Sequence, residues 1–247
     1  MLSSSEDSVP RYGVPAILIA TFVPAILVIF GSILASTLDG VVGNVATMAY
    51  LLFEALILWL AIVIFTRREH GSFSFALAIP WQKSISPLLF IALLIAVTVY
   101  AIFFRDHFRW PPMMAFAGTV RELVPFWPPE GTWQPNFGYQ FDDFGGTTRQ
   151  LNIVAMAICM AAVSVMQTLY FRGFLLPRMA WMGWLAPFIN TALFAGFHLY
   201  SMPFWHFFFI FTLAWGLVTY ATRNVWIAVL SHVIFNTYAY AILIVSG

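Results

Sequence analysis

The chain has 247 residues, of which 62% are hydrophobic and only 9% are charged. This composition, with a mean hydropathy of +0.88, excludes a water-soluble globular domain. The formal net charge of +1 gives no indication of an acidic or nucleic-acid partner. The single cysteine, Cys159, excludes an intramolecular disulfide, and its apolar surroundings in the sequence favour a small buried side chain over a reactive thiol.

Long apolar segments follow one another along the chain and predict an all-α, polytopic transmembrane helical bundle. In lipid, only helices and closed barrels satisfy every backbone group, and these segments are too long and continuous for barrel strands. About seven spans are predicted, over residues 14–34, 42–65, 86–104, 151–171, 181–201, 204–221 and 225–245. The chain then divides into a tail, 1–13, three spans within 14–104, a loop, 105–150, and a core of four spans, 151–247.

The distribution of lysine and arginine predicts the orientation. Seven basic residues fall on the side of the N-terminus, whereas the other four lie in or at the ends of the loop 105–150. The positive-inside rule therefore places the N-terminus in the cytoplasm and the loop outside it. The tail lacks the basic region and cleavage site of a signal peptide, so we expect the first span to be retained. We expect an integral protein of a bacterial-type inner or cytoplasmic membrane, in contact with membrane lipids and with no nucleic-acid partner.

The loop 105–150 contains RWPPMMAF and VPFWPPEGTWQPNFGYQFDDF, which is too aromatic for a freely solvated linker. Tryptophan and tyrosine favour the headgroup zone, so one interpretation is a lid lying on the outer membrane surface. The same residue types anchor protein interfaces, so the other interpretation is a docking surface for a membrane protein partner. The candidate partner-binding residues are Trp110, Phe126, Trp127, Trp133 and Tyr139.

Ionisable side chains inside the predicted spans are candidates for a functional site because they are costly in lipid. They are Glu54, Arg172, His198, His206 and His232. His232 and Asn236 are four residues apart, as are Thr168 and Arg172, so each pair lies on one helical face. Polar groups in lipid also hold helices together through hydrogen bonds. On that interpretation, Glu54 is a neutral carboxyl bonded to a neighbouring helix.

Three short motifs occur in order in the second half of the chain, QTLYFRG (167–173), FAGFH (194–198) and HVIFN (232–236). Their order and spacing resemble the CPBP family of intramembrane proteases, also called the Abi family, which includes the CAAX prenyl endopeptidases. That family carries Glu-Glu-x-x-x-Arg, Phe-x-x-x-His and His-x-x-x-Asn on successive helices. The resemblance covers about residues 150–240 and implies a CPBP-like core formed by the last four spans.

The resemblance also implies a catalytic set. The family-equivalent positions are Gln167, Thr168, Arg172, His198, His232 and Asn236. In the family, the first glutamate is held to activate the attacking water, the second pairs with the arginine, and the asparagine steadies the oxyanion. These residues line a cavity open to the bilayer, and the hydrolysis is described as metal-assisted or glutamate-dependent.

Both motif glutamates are absent here. An amide or a hydroxyl is not a useful proton acceptor near neutral pH, and losing a general base costs about 10²–10⁴-fold in rate. No aspartate or glutamate occurs between residues 144 and 247. His198 and His232 are the candidate metal ligands, but with neutral companions they form only a weak zinc site, so no cofactor is expected. Without its acidic partner, Arg172 is expected to bond Thr168, a helix C-terminal carbonyl or a lipid phosphate.

We therefore predict a degenerate CPBP-type protein, proteolytically inactive, that acts as a binding or accessory subunit of a membrane protein complex through the loop 105–150. The alternative is an active CPBP-type intramembrane metalloendopeptidase, similar to CAAX prenyl-protein peptidases, that uses Glu54 as a replacement base. A transporter is the third possibility, and the absence of visible inverted repeats argues against it.

Overall fold

The computed structural model describes residues 9–36, 40–106, 146–198 and 205–246, together with Ala115, Thr119 and Glu122. Within these residues every regular element is helical, and no strand is present. Five helices are long and apolar enough to cross a membrane. The predicted all-α, polytopic membrane bundle is therefore confirmed. The five candidate partner-binding aromatic residues of the loop 105–150 lie outside the described residues.

The long helices are α1 (Val14–Ser36), α2 (Gly40–His70), α4 (Pro87–Asp106), α5 (Gly146–Thr168), α7 (Leu185–Phe197), α8 (Trp205–Thr222) and α9 (Trp226–Ser246). The short ones are α3 (Phe75–Ala78) and α6 (Leu176–Arg178), followed by a single 3-10 turn, Ala180–Met182. A π-helical turn, Leu169–Leu175, joins α5 to α6.

The helices that could span a membrane are Val14–Ala35, Val45–His70, Pro87–Phe104, Gln150–Arg178 and Trp205–Thr222. The fourth extends beyond the predicted end at residue 171, because the chain passes from α5 through the π-helical turn into α6 without leaving a helical conformation. The predicted span 181–201 corresponds to the shorter apolar helix α7, and the predicted span 225–245 corresponds to α9.

The outward surface of the bundle is apolar, as expected for helices that face lipid. Leu88, Phe30 and Leu34 are 80%, 69% and 68% exposed. A water-soluble protein rarely presents contiguous apolar patches of this kind, because exposing them to water is unfavourable. This surface agrees with the assignment of an integral membrane protein.

Two hydrophobic clusters form the interior. The first joins α1, α2, α5, the π-helical turn and α7, and the second joins α4, α8 and α9. Helix α8 lies close to α7 at Gly216, where an added Cβ would lie 2.8 Å from Thr191 Oγ1 and 3.2 Å from the Pro187 carbonyl oxygen. The polar motif residues lie where the two clusters meet, between α2, α5, α7 and α9.

Candidate functional site

The three motif segments converge. Gln167 near the end of α5 places its amide nitrogen 3.5 Å from His198 Nε2, just after α7. Thr168, the next residue, places Oγ1 2.9 Å from Nδ1 of His232 on α9. Both contacts are buried, so the order of motifs along the sequence corresponds to one site in space.

Helix α2 contributes a fourth side chain, Glu54, which is 2% exposed. Its Oε1 accepts a hydrogen bond from the Gln167 amide at 2.5 Å. From the sequence, Glu54 is the one acid inside a predicted span, a candidate for a bond to a neighbouring helix and the candidate replacement base, but the residue it contacts is not indicated. The structure brings this carboxyl to the first motif, one hydrogen bond away from the amide that stands at the family's glutamate position.

The hydrogen bonds of the two histidines indicate their tautomers. His198 Nδ1 lies 2.9 Å from the Phe194 carbonyl oxygen, which can only accept, so this nitrogen carries the proton. His232 Nε2 lies 3.1 Å from the Asn236 amide nitrogen, a donor, so Nε2 accepts and Nδ1 donates to the Thr168 hydroxyl. Each ring therefore directs an unprotonated Nε2 towards a side-chain amide.

Asn236 is oriented by a residue that the sequence analysis missed. Its amide nitrogen donates to Ser164 Oγ at 2.7 Å, and Ser164 in turn donates to the Met160 carbonyl oxygen at 2.6 Å. Ser164 is three residues before Gln167 and four before Thr168, which is the spacing of one helical face. That spacing was the available signal, but a serine in a membrane helix is too common to stand out from sequence.

Arg172 lies apart from the cavity that the other motif residues surround. Its Nη1 donates to Asn190 Oδ1 on α7, and its Nη2 lies 3.4 Å from the Thr212 carbonyl oxygen on α8. The expected partners are therefore wrong for this arginine. Thr168 is occupied by His232, the guanidinium is buried away from lipid phosphates, and the carbonyl it approaches belongs to the middle of α8 and not to a helix C-terminus. Arg172 joins the π-helical turn to α7 and α8 and also lies 5.1 Å from the Phe194 ring centre.

A cavity of about 250 Å³ occupies the centre of the site. The polar residues that line it are Glu54, Gln167, His198, His232 and Asn236. The rest of the wall is largely aromatic, and Phe208 stacks on the His198 ring with centroids 4.8 Å apart. Outside the cavity, Trp215 stacks on the His232 ring at 4.3 Å. The aromatic rings hold both imidazoles in fixed orientations.

The arrangement does not fit a zinc ion. Among the described residues, no three His, Cys, Asp or Glu side chains form a group that could hold a metal. In addition, a side-chain amide nitrogen lies next to Nε2 of both His198 and His232, in the direction a metal would need. A catalytic zinc site needs three protein ligands and one open position, which these contacts do not supply.

Replacing Thr168 with valine should lower the free energy of unfolding by about 1–3 kcal/mol, because the buried His232 N–H then has no acceptor. Valine has nearly the same shape as threonine, so packing is retained. Serine at this position keeps the hydroxyl and serves as the matched control. Unfolding in one detergent by denaturant titration measures both variants, and equal losses for valine and serine would contradict the role assigned to the hydroxyl.

Comparison with known proteins agrees with the motifs. Residues 149–238 match the family model described as type II CAAX prenyl endopeptidase Rce1-like. No curated protein matches the chain, and no solved structure matches it. The matched range contains the three motifs and runs from α5 into α9. The resemblance is thereby confirmed: this is an integral membrane protein whose residues 149–238 match the Rce1-like CAAX prenyl endopeptidase family model.

Proposed function

We propose that this protein is a CPBP-type membrane protein that no longer hydrolyses peptides and acts as a binding or accessory subunit of a membrane protein complex. The observation that carries the proposal is the hydrogen bond from the Gln167 amide to Glu54. The position where the family has its general base is a proton donor here, and the carboxyl that lies beside it is already engaged by it.

The Glu54 carboxyl does not occupy the position of the motif's first residue, and catalysis tolerates only small errors in the position of a base. Glu54 Oε1 lies 2.5 Å from the amide nitrogen at the motif position, whereas a misplacement of about 1 Å can cost about 10²-fold in rate. Each imidazole also has both nitrogens close to protein groups. Such a closed network satisfies its own buried polar groups, which favours a stable cavity over a reactive one.

The cavity supports a binding role because its wall is apolar and aromatic with a few polar groups, which is the usual composition of a ligand site. The aromatic composition of the loop 105–150 supports contact with a membrane protein partner. On this proposal, Trp127 and Trp133 are the residues whose loss releases the partner, and surrounding lipids are the remaining contacts.

The test combines a peptidase assay with isolation of the intact protein in a gentle detergent. We expect no cleavage of a prenylated CAAX peptide above the buffer rate, and a membrane protein that is isolated with the wild type in constant proportion. The double variant Trp127→Ala, Trp133→Ala should lose that protein while keeping its fold. Cleavage by the wild type at a rate well above buffer would overturn the proposal.

A second candidate, an active intramembrane endopeptidase, is favoured by the presence of Glu54 in the same cavity as His198 and His232. A carboxyl there could take a proton from a water molecule bound in the cavity, and Asn236 could donate to the developing oxyanion. In that case the wild type cleaves the prenylated CAAX peptide and Glu54→Gln abolishes this cleavage. The double variant Trp127→Ala, Trp133→Ala leaves the cleavage rate unchanged.

A further inference from the structure

A second polar pocket lies at the end of the bundle where α1 begins, α8 ends and α9 begins, away from the motif cavity. It has a volume of about 210 Å³ and is lined by two arginines, Arg11 and Arg223, and two tryptophans, Trp81 and Trp181. None of the described residues that line it is acidic. Because several apolar helices start or stop here, this end of the bundle meets the membrane surface.

Arg223 is held in place by its backbone and by aromatic rings. Its φ of 54° lies in the left-handed region, which costs energy for a residue other than glycine. The Lys83 N–H donates to its carbonyl oxygen at 2.9 Å, and its own N–H donates to the Thr219 carbonyl oxygen at 2.9 Å. The guanidinium lies 4.0 Å from the Trp81 ring centre and 4.4 Å from that of Tyr220.

This stacking fixes the plane of the guanidinium, and Arg223 is half-buried and lines the pocket. Arg223 Nη1 is buried and has no hydrogen-bond partner in the part of the chain that the structure describes. An arginine stacked on aromatic rings still presents its N–H groups in the plane of the guanidinium, in a geometry that matches the oxygens of a phosphate. A buried donor without an acceptor is unfavourable, so turning the guanidinium towards the oxygens of a ligand in the pocket would stabilise this position.

The other cationic side chains at this end of the bundle differ from Arg11 and Arg223 in their partners or their position. Arg178 is also buried, but its guanidinium donates to Glu69 at 2.8 and 2.5 Å, which neutralises its charge. Lys83 is exposed and does not line the pocket. Arg11 is exposed and lines the pocket opposite Arg223. The pocket therefore has two positive charges, and no described acidic side chain lines it to balance them.

We propose that Arg11 and Arg223 bind a phosphate group in this pocket, with Trp81 and Trp181 at its walls. Two sources have the required chemistry, the headgroup of an anionic phospholipid at the membrane surface and free phosphate. Tryptophan is typical of the headgroup zone, and basic pockets between transmembrane helices bind lipid headgroups. The site is separate from the motif cavity and does not depend on whether peptide hydrolysis is retained.

The experiment measures ligand binding to the purified full chain in a neutral detergent at constant ionic strength. The probes are a short-chain phosphatidylglycerol, the matching phosphatidylcholine and inorganic phosphate, each titrated against the melting temperature. The variants are Arg11→Gln and Arg223→Gln, and Lys83→Gln is the control that removes a nearby positive charge outside the pocket.

We expect phosphatidylglycerol to raise the melting temperature of the wild type and of Lys83→Gln, and Arg11→Gln to bind it roughly tenfold more weakly or worse. Stabilisation by phosphatidylglycerol alone assigns the site to a lipid headgroup, and equal stabilisation by inorganic phosphate assigns it to free phosphate. Arg223→Gln should show the same loss; if it does not fold, the exposed Arg11 variant still decides the question. Absence of stabilisation by either probe, or an equal effect of Lys83→Gln and Arg11→Gln, overturns the proposal.

Discussion

Replacing Arg178 with glutamine is expected to lower the free energy of unfolding by about 3–5 kcal/mol, since removing one partner of a buried ion pair leaves the other uncompensated. Arg178 is 0% exposed. Its Nε and Nη2 donate to the Glu69 carboxylate, and its Nη1 donates to the Phe174 carbonyl oxygen at 2.8 Å. The glutamine side chain is too short to replace these contacts and leaves several acceptors without a donor.

The same arginine also holds the segment before α1. The Tyr12 N–H donates to the Arg178 carbonyl oxygen at 3.1 Å, and the Tyr12 hydroxyl donates to Glu69. Burial, and then the bonded Glu69 carboxylate, raise the pKa of the Tyr12 hydroxyl above its usual range, so it stays protonated in the folded protein. Arg178→Gln keeps these two bonds but removes the guanidinium that lies 5.8 Å from the Tyr12 ring centre and balances Glu69, so it should weaken the contact between the start of α1 and the end of α2.

Arg68→Gln is the matched control, because Arg68 lies one residue before Glu69 and is exposed. Its removal should change the free energy of unfolding by less than about 0.5 kcal/mol. Both variants can be compared by denaturant titration in a single detergent, with helix content followed by circular dichroism. A loss for Arg178→Gln no larger than that for Arg68→Gln would show that the ion pair is dispensable.

Exchanging the two residues of the central hydrogen bond, Glu54→Gln with Gln167→Glu, is expected to create peptidase activity at least about 10²-fold above that of the wild type. The exchange keeps the total charge and the number of hydrogen-bonding groups, with the amide now on α2 and the carboxylate on α5. Residue 167 then provides a proton acceptor. Its carboxylate lies 3.5 Å from His198 Nε2 if it adopts the geometry of the present Gln167 side chain.

The measurement is cleavage of a prenylated CAAX peptide by the exchanged variant, the wild type and Glu54→Gln alone. Glu54→Gln removes the only carboxyl among the described residues of the cavity without supplying a new base. On the proposed function, it and the wild type should both leave the peptide uncleaved. His198→Ala in the exchanged variant should remove any activity gained. If the wild type cleaves the peptide and both Glu54→Gln and the exchanged variant do not, Glu54 is itself the base and the second candidate function is correct.

The intact hydrogen-bond network around an altered motif has a physical explanation. In the absence of the family's glutamates, His232 and His198 still need partners, because an unpaired buried polar group costs free energy. Thr168 supplies an acceptor to His232, while Gln167 links Glu54 to His198. Gln167 and Thr168 are thus part of a satisfied polar core, which explains how the site keeps its shape with these two residues in the first motif.

Composition and spacing by themselves determined that this is a helical membrane protein and which part of the chain resembles a known family. Long continuous apolar segments must form helices in lipid, because a helix satisfies all of its own backbone hydrogen bonds. Three motifs at fixed intervals indicate the family resemblance of residues 149–238, and this indication does not depend on how the helices pack. The predicted bounds differ from the helices by up to about five residues, as at the end of α2 and the start of α7, and by more at α5, where the π-helical turn carries the helix on to Arg178. A π-helical turn has no sequence pattern of its own, so periodicity does not reveal it.

Only the tertiary structure decided which side chains meet. Glu54 is 113 residues before Gln167, and no spacing rule relates side chains on different helices. The partner of Arg172 likewise became Asn190 because the packing of α7 against the π-helical turn brings that amide to the guanidinium. Pairings of this kind depend on how helices pack in three dimensions, whereas spacing along the chain reports only the face of a single helix.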